Sequence, residues 1–270
     1  MAQLALRKTR FNSGMCYGSS QTTDNVPLSP QNRSDFVFMG PPFIAYYGAY
    51  QQGSTQTQLL QAAYDQCRLY RQYLQDPENL LWKHIELGSQ QDNNFWATGN
   101  ALAAAGMFRV LRAIRLSSSS SNFLQQQTDL ANWIKEIVTS SWNQQVSAIE
   151  HAHITPVLTV GVQLQTTDGA LHNYINDSNT FEDASSTALM AAVTFRLAIV
   201  MQDFKTNIDN AEAAYTYVSS KIDSDGWLRQ TVDPATTNSL SSSGTPSSAG
   251  QSFVLMMESA RRSFQEMAGG

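Results

Sequence analysis

The sequence predicts an all-α protein. Apolar residues return every three or four positions wherever the chain has any period, the segments between these runs are rich in Gly, Ser, Asn and Asp, and the only β-like text is "HITPVLTVGVQLQ". With 270 residues, 42% of them hydrophobic, the chain can bury one large core. One domain over 1–270 is expected, with an irregular segment at 1–34.

Taken in order, "SDFVFMGPPFIAYYGAY" sets Asp35 ahead of a long uncharged aromatic run that can begin a helix. After "QQGST", Leu60, Ala63, Cys67, Tyr70 and Leu74 make one apolar stripe, closed by Asp76-Pro77. A second helix starts near Phe95, carries Ala103, Met107, Val110 and Ile114, and ends at the serine run 117–121. A third spans roughly 122–139 with Leu130, Trp133, Ile134 and Ile137. Ala188, Ala192, Phe195 and Ile199 define a fourth, Ala211 to Val218 a short fifth, and Phe253, Met256, Ala260 and Phe264 the last. Helices of this length, with polar and aromatic clusters at their ends, suit hairpins stacked around an axis with function at one rim. An irregular helical bundle has the same periodicity.

Charge and cysteine content narrow the function. Only 14% of residues are charged and the net charge is -5, so the basic footprint that a phosphate backbone demands is absent and nucleic acid is not an expected partner. Cys67 falls on an apolar stripe and Cys16 stands apart, which gives neither a disulfide scaffold nor a zinc site. No apolar run has the length of a membrane span, and "MAQLALRKTRFNSG" lacks the pattern of a signal peptide; no membrane partner is expected and localisation stays open. Ten Tyr and five Trp beside many Asn and Gln suit a polar ligand such as a sugar, which binds by ring stacking and amide hydrogen bonds.

The polar clusters supply the candidate site. Asp35 is either a helix cap or a carboxylic acid held by Phe36, Phe38, Met39, Pro41, Pro42 and Phe43, surroundings that favour the neutral form a proton donor needs. In "LLWKHIELGSQQDNNFWATGN", His84 can hydrogen-bond a sugar hydroxyl or carboxylate, or simply be solvated. Trp82 lies beside it. Trp96 is a stacking platform or a core anchor at a helix start, with Thr98 and Asn100 as polar neighbours. Asp92 reads as a cap before a second acid, and Glu182 with Asp183 read as caps before ligands. "SDGWL" and "GQSFVLMME" complete the set.

These stretches, together with "AAYDQCRLYRQYL", "AAAGMFRVLRAI" and "LHNYINDSNTFEDASSTALMAAVTFRLA", resemble the fungal branch of the unsaturated uronyl hydrolases, the six-hairpin glycosidases of glycoside hydrolase families 88 and 105. The resemblance implies an (α/α)6 barrel and removal of a 4,5-unsaturated uronic acid from pectin-derived or other acidic oligosaccharides, without metal or cofactor. It also implies roles: Asp35 matches the family's D-x-x-(Y/F)-M-x-x-P-F aspartate, the acid/base that protonates C4 before water adds at C5. His84, Trp96, Thr98, Asn100 and Trp82 would contact substrate.

Departures from the family pattern are equally specific. Roughly seven to eight helices are legible against about twelve in six hairpins, so the barrel is expected to be incomplete. The family's upstream aspartate has no counterpart, Ala101-Leu102 stands where a Gly-Trp pair is usual, and Ala249 stands where the family has Glu. Residues 146–163, including His151 and His153, read as an insertion. The alternative expectation is therefore a catalytically impaired or merely carbohydrate-binding protein of the same fold.

Overall fold

A computed structural model describes residues 32–88, 90–150, 169–201, 207–233, 235–242 and 244–269. Cys16, His151 and His153, the β-like stretch and most of the expected insertion lie outside them. The described residues form seven α-helices: α1 (Gly40–Tyr50), α2 (Gly53–Leu74), α3 (Ala97–Leu116), α4 (Leu124–Glu150), α5 (Ala184–Val200), α6 (Ile208–Ser220) and α7 (Ser248–Gly269). Helix α4 runs past the expected end near 139 into the first residues of the insertion. One antiparallel pair, β1 (Asn32–Arg33) with β2 (Ile85–Glu86), was not apparent from periodicity, being two residues long.

By internal contacts the chain divides into two compact units, Met1–Phe95 with Leu102–Ile134, and Trp96–Ala101 with Lys135–Gly270. In the first, Pro41 and Pro42 occupy the opening turn of α1, where the missing N–H has no intrahelical partner to lose. A Cβ on Gly48 would lie 2.9 Å from the Leu59 Cβ, so glycine there lets α1 close on α2. The stripe expected for α2 is fully buried: Leu60, Ala63, Cys67, Tyr70 and Leu74 have no exposed surface, and a leucine so buried contributes roughly 1.5–3 kcal/mol. Burial also pushes the Cys67 thiol pKa well up, which fits a core residue rather than a reactive one. Helix α2 ends where Asp76 accepts the N–H groups of Glu78 and Asn79.

In the second unit α5 is buried along almost its whole length. It packs on both α6 and α7. The Phe195 and Phe264 rings meet at 5.8 Å, and Arg261 on α7 pairs with Glu212 on α6. Trp142 on α4 donates its Nε1–H to Thr194 Oγ1 at 3.1 Å, which satisfies the one polar atom of a buried indole.

One backbone device recurs three times. The Ser34 N–H donates to the His84 carbonyl at 3.1 Å, Ala97 N–H to Asn173 O at 2.8 Å, and Ala184 N–H to Gln230 O at 2.9 Å. The preceding residue is tied to the same loop each time: Arg33 pairs with Ile85, Trp96 with Tyr174, and the Asp183 carboxylate takes the Val232 N–H. Each acceptor loop is itself pinched by an antiparallel bridge, Ile85 with Asp92, His172 with Glu182, and Val232 with Leu240. Helix starts have donors without intrahelical acceptors, and here a neighbouring loop carbonyl meets that need.

Candidate active site

Asp35 sits in a 3-10 turn, Ser34–Phe38, that leads into α1. The N-cap of that turn is Arg33, and Asp35 lies inside its first turn, so Asp35 is not the capping residue. The apolar enclosure expected around it is also not what forms. Phe36 packs near the Tyr70 ring, Phe38 lies under the Arg109 guanidinium at 3.8 Å, and Met39 and Phe43 face solvent. Arg33 takes the carboxylate instead, with Nε 3.1 Å from Oδ1 and Nη2 3.3 Å from Oδ2. This side-on fork fixes the carboxylate plane, and both side chains keep some exposure, 24% for Arg33 and 17% for Asp35. Helix α3 braces the turn from behind: a Cβ on Gly106 would fall 2.2 Å from the Val37 carbonyl oxygen.

His84 is 2% exposed, not a solvated loop residue. Its Nδ1 is 2.9 Å from Asp92 Oδ2, while Asp92 Oδ1 accepts the Asn94 N–H and side-chain amide. Asp92 therefore orients an imidazole and closes a turn rather than capping a helix. Through the Ser34–His84 bond and the β1–β2 pair, the first unit carries Arg33, Asp35, His84 and Asp92 on one stitched patch. Asn32 on the same strand is fully buried, and among the described residues its side-chain amide has no hydrogen-bond partner. Arg33 is the residue the sequence reading missed; two positions from Asp35 and ending an extended strand, it was placed to reach the same face.

The remaining expected ligands are buried. Trp82 in the first unit has no exposed surface, so its ring offers no face to a sugar. In the second unit Trp96 is 4% exposed and donates Nε1–H to Asn173 Oδ1 at 3.1 Å, the core-anchor alternative. Asn100, fully buried, donates to the Trp96 carbonyl, and Thr98 donates to Asp183 Oδ2 at 2.9 Å. The resemblance implied substrate contacts for these residues; in the structure their hydrogen bonds run to the helix start and the adjoining loop. Asp183 is the N-cap of α5 and accepts from Ser185 N–H, Ser186 N–H and Val232 N–H besides Thr98. Glu182 accepts from the Gln230 amide.

The two C-terminal clusters do meet. Asp223 gathers the N–H groups of Asp225 and Trp227 and pairs with Arg229, which holds its carboxyl below the usual range, the Trp227 N–H contributing most. Gln251 accepts the Leu228 N–H and donates to the Gly226 carbonyl, so it clamps the same turn from α7. Among the described residues no group of His, Cys, Asp and Glu is arranged to hold a metal ion, and no helix is long and apolar enough to cross a membrane.

Residues 27–147 match the profile of the family described as Glycosyl Hydrolase Family 88. No curated protein matches the sequence. Among solved structures, the chain is similar to a possible member of glycoside hydrolase family 105 from Salmonella enterica serovar Paratyphi A, with a TM-score of 0.74 at 19% identity over 97% of this chain and 64% of that one. The unsaturated glucuronyl hydrolase of Bacillus sp. GL1, described as responsible for degradation of glycosaminoglycan, gives 0.64 at 15% identity, covering 97% and 66%. An unsaturated glucuronyl hydrolase specific for heparin gives 0.69 at 13% identity, covering 98% and 67%. The chain thus spans about two thirds of the length of the structures it matches. Over residues 27–147 the sequence resembles glycoside hydrolase family 88, and over nearly its whole length the chain has the helical-hairpin fold of these structures.

Proposed function

We propose that the chain is a glycoside hydrolase of the unsaturated uronyl hydrolase type, with Asp35 as its acid/base. The observation that carries this reading is the Arg33–Asp35 fork on a braced turn, stitched through Ser34 to the loop of the His84–Asp92 pair. Such a carboxyl is held in one orientation, partly exposed, within a family that acts on sugars. In the proposed reaction Asp35 gives a proton to C4 of the enol ether of a 4,5-unsaturated uronic acid. Water adds at C5 and loses a proton to the carboxylate. The resulting hemiketal opens, which releases the rest of the oligosaccharide. An acidic, pectin-derived or related oligosaccharide is the proposed substrate class, and His84, buried and oriented by Asp92, helps to hold the loop that faces it.

The test is loss of the ultraviolet absorbance of the conjugated double bond, on unsaturated glucuronyl and rhamnogalacturonyl disaccharides. Wild type is expected to consume it and Asp35→Asn is not. A flat trace from folded wild type on both substrates rejects the proposal. That outcome favours the second reading, an impaired or sugar-binding protein of the same fold, for which the buried Trp82 and Trp96 rings and the Ala101-Leu102 pair already speak.

A further inference from the structure

We infer that the outer face of α1 is a self-association surface on which two copies of this chain meet. Met39, Phe43, Tyr46, Tyr47 and Tyr50 recur at helical spacing and are 53%, 55%, 51%, 38% and 85% exposed. The opposite face, with Ile44, Ala45 and Gly48, is buried. Helix α1 is therefore apolar all round, which is the character of a helix covered on both sides, whereas a helix face that stays in water carries polar residues. Scattered exposed hydrophobic residues need no explanation, but a continuous stripe of large ones marks an interaction site.

The composition of the stripe selects the occupant. Met, Phe and Tyr are residue types enriched at the centre of protein interfaces, and Gln51, Gln52, Ser54 and Thr55 supply a polar rim at its end. No charged residue occurs between Asp35 and Asp65. A two-fold contact sets a patch against its own copy, so any net charge would repel itself; this face has none to repel. At about 200 Å² for a large side chain, the stripe exposes on the order of 500–600 Å² per chain. Two stripes together bury on the order of 1,100 Å², just enough for specific association, and the dimer is accordingly weak and concentration dependent.

The inference goes beyond the proposed activity and needs no substrate to test. Sedimentation equilibrium of the whole chain from roughly 1 to 100 μM is expected to show a mass rising from the 29.8 kDa of one chain toward twice that value. Phe43→Asp combined with Tyr47→Asp is expected to hold the mass at one chain over the same range with an unchanged helical circular-dichroism spectrum. Should that pair of substitutions unfold the chain, Tyr50→Asp, at the most exposed position of the stripe, is expected to weaken association at least about tenfold. A single-chain mass for wild type throughout overturns the inference, as does a dimer indifferent to these substitutions.

Discussion

The stitched turn of the first unit and the helix starts of the second use the same backbone bond and finish it with different side chains. At Ser34 the flanking residues are Arg33 and Asp35, an ion pair that keeps contact with solvent. At Ala97 and Ala184 they are Trp96, Thr98, Asp183 and Ser185, all buried and bonded to one another or to the adjoining loop. A repeated scaffold position is thus a place where chemistry can be put, and the side chains decide whether it is open for a ligand or sealed for stability.

Exchanging each carboxylate for alanine separates the two uses most widely. Asp183→Ala removes the acceptor of several buried donors at once and is expected to cost about 3–5 kcal/mol, read as a loss of melting temperature. Asp35→Ala breaks one partly exposed ion pair and is expected to cost no more than about 1 kcal/mol, while abolishing the proposed hydration activity. A large stability loss in Asp35→Ala, or a small one in Asp183→Ala, would erase the distinction between the units.

The glycines at close approaches give the next largest effect. A Cβ at Gly169 would meet the Ala213 backbone at 2.4 Å, with φ at +69°, and one at Gly106 would meet the Val37 backbone at 2.2 Å. In both cases backbone must move, so alanine is expected to destabilise by about 2–4 kcal/mol. The readouts diverge beyond that. Gly106→Ala displaces the turn that bears Asp35 and is expected to lower the proposed activity more than its stability loss explains, whereas Gly169→Ala is expected to lower stability alone.

Trp96→Phe is a smaller perturbation within the second unit. It removes the bond to Asn173 Oδ1 and leaves a buried acceptor short of a partner, at about 1–2 kcal/mol. A structural Trp96 predicts unchanged KM for the surviving protein; a raised KM would restore it as a sugar platform.

These contrasts also show what the sequence could reveal. The helices were legible where the buried face repeats with the helical period, as Leu60 through Leu74 on α2 demonstrate. Asp183 was legible as a cap, since a local hydrogen bond from the N–H groups two and three residues on needs only the residue type and a helix start. The threefold stitch was not. Its acceptors, His84, Asn173 and Gln230, act through backbone carbonyls, so their side chains share no chemistry that a pattern could carry. For the same reason Trp96, Thr98 and Asn100 looked like ligands: polar and aromatic residues at a helix start serve a site or the start itself, and only burial tells which.

The smallest expected effect compares two turn-closing carboxylates, Asp76 in the first unit and Asp223 in the second. The Asn79 N–H leads in holding the Asp76 carboxyl below its usual 3.8, and the Trp227 N–H leads for Asp223, with Arg229 adding its charge. A folded-state value below the unfolded one means that each contribution is present above 3.8 and is lost as pH falls through the folded value. Both groups keep contact with solvent, so the effects are small. Asp76→Asn and Asp223→Asn keep a turn-capping side chain and are expected to leave the neutral-pH melting temperature nearly unchanged while flattening its decline on the acid side. Added salt separates them, because Lys83 is the weakest contributor at Asp76, whereas Arg229 holds Asp223 by a hydrogen bond and by its charge, which salt screens. The acid-side difference between wild type and Asp223→Asn should therefore shrink with salt more than that between wild type and Asp76→Asn; equal salt sensitivity would mean that Arg229 merely sits beside the turn without stabilising it.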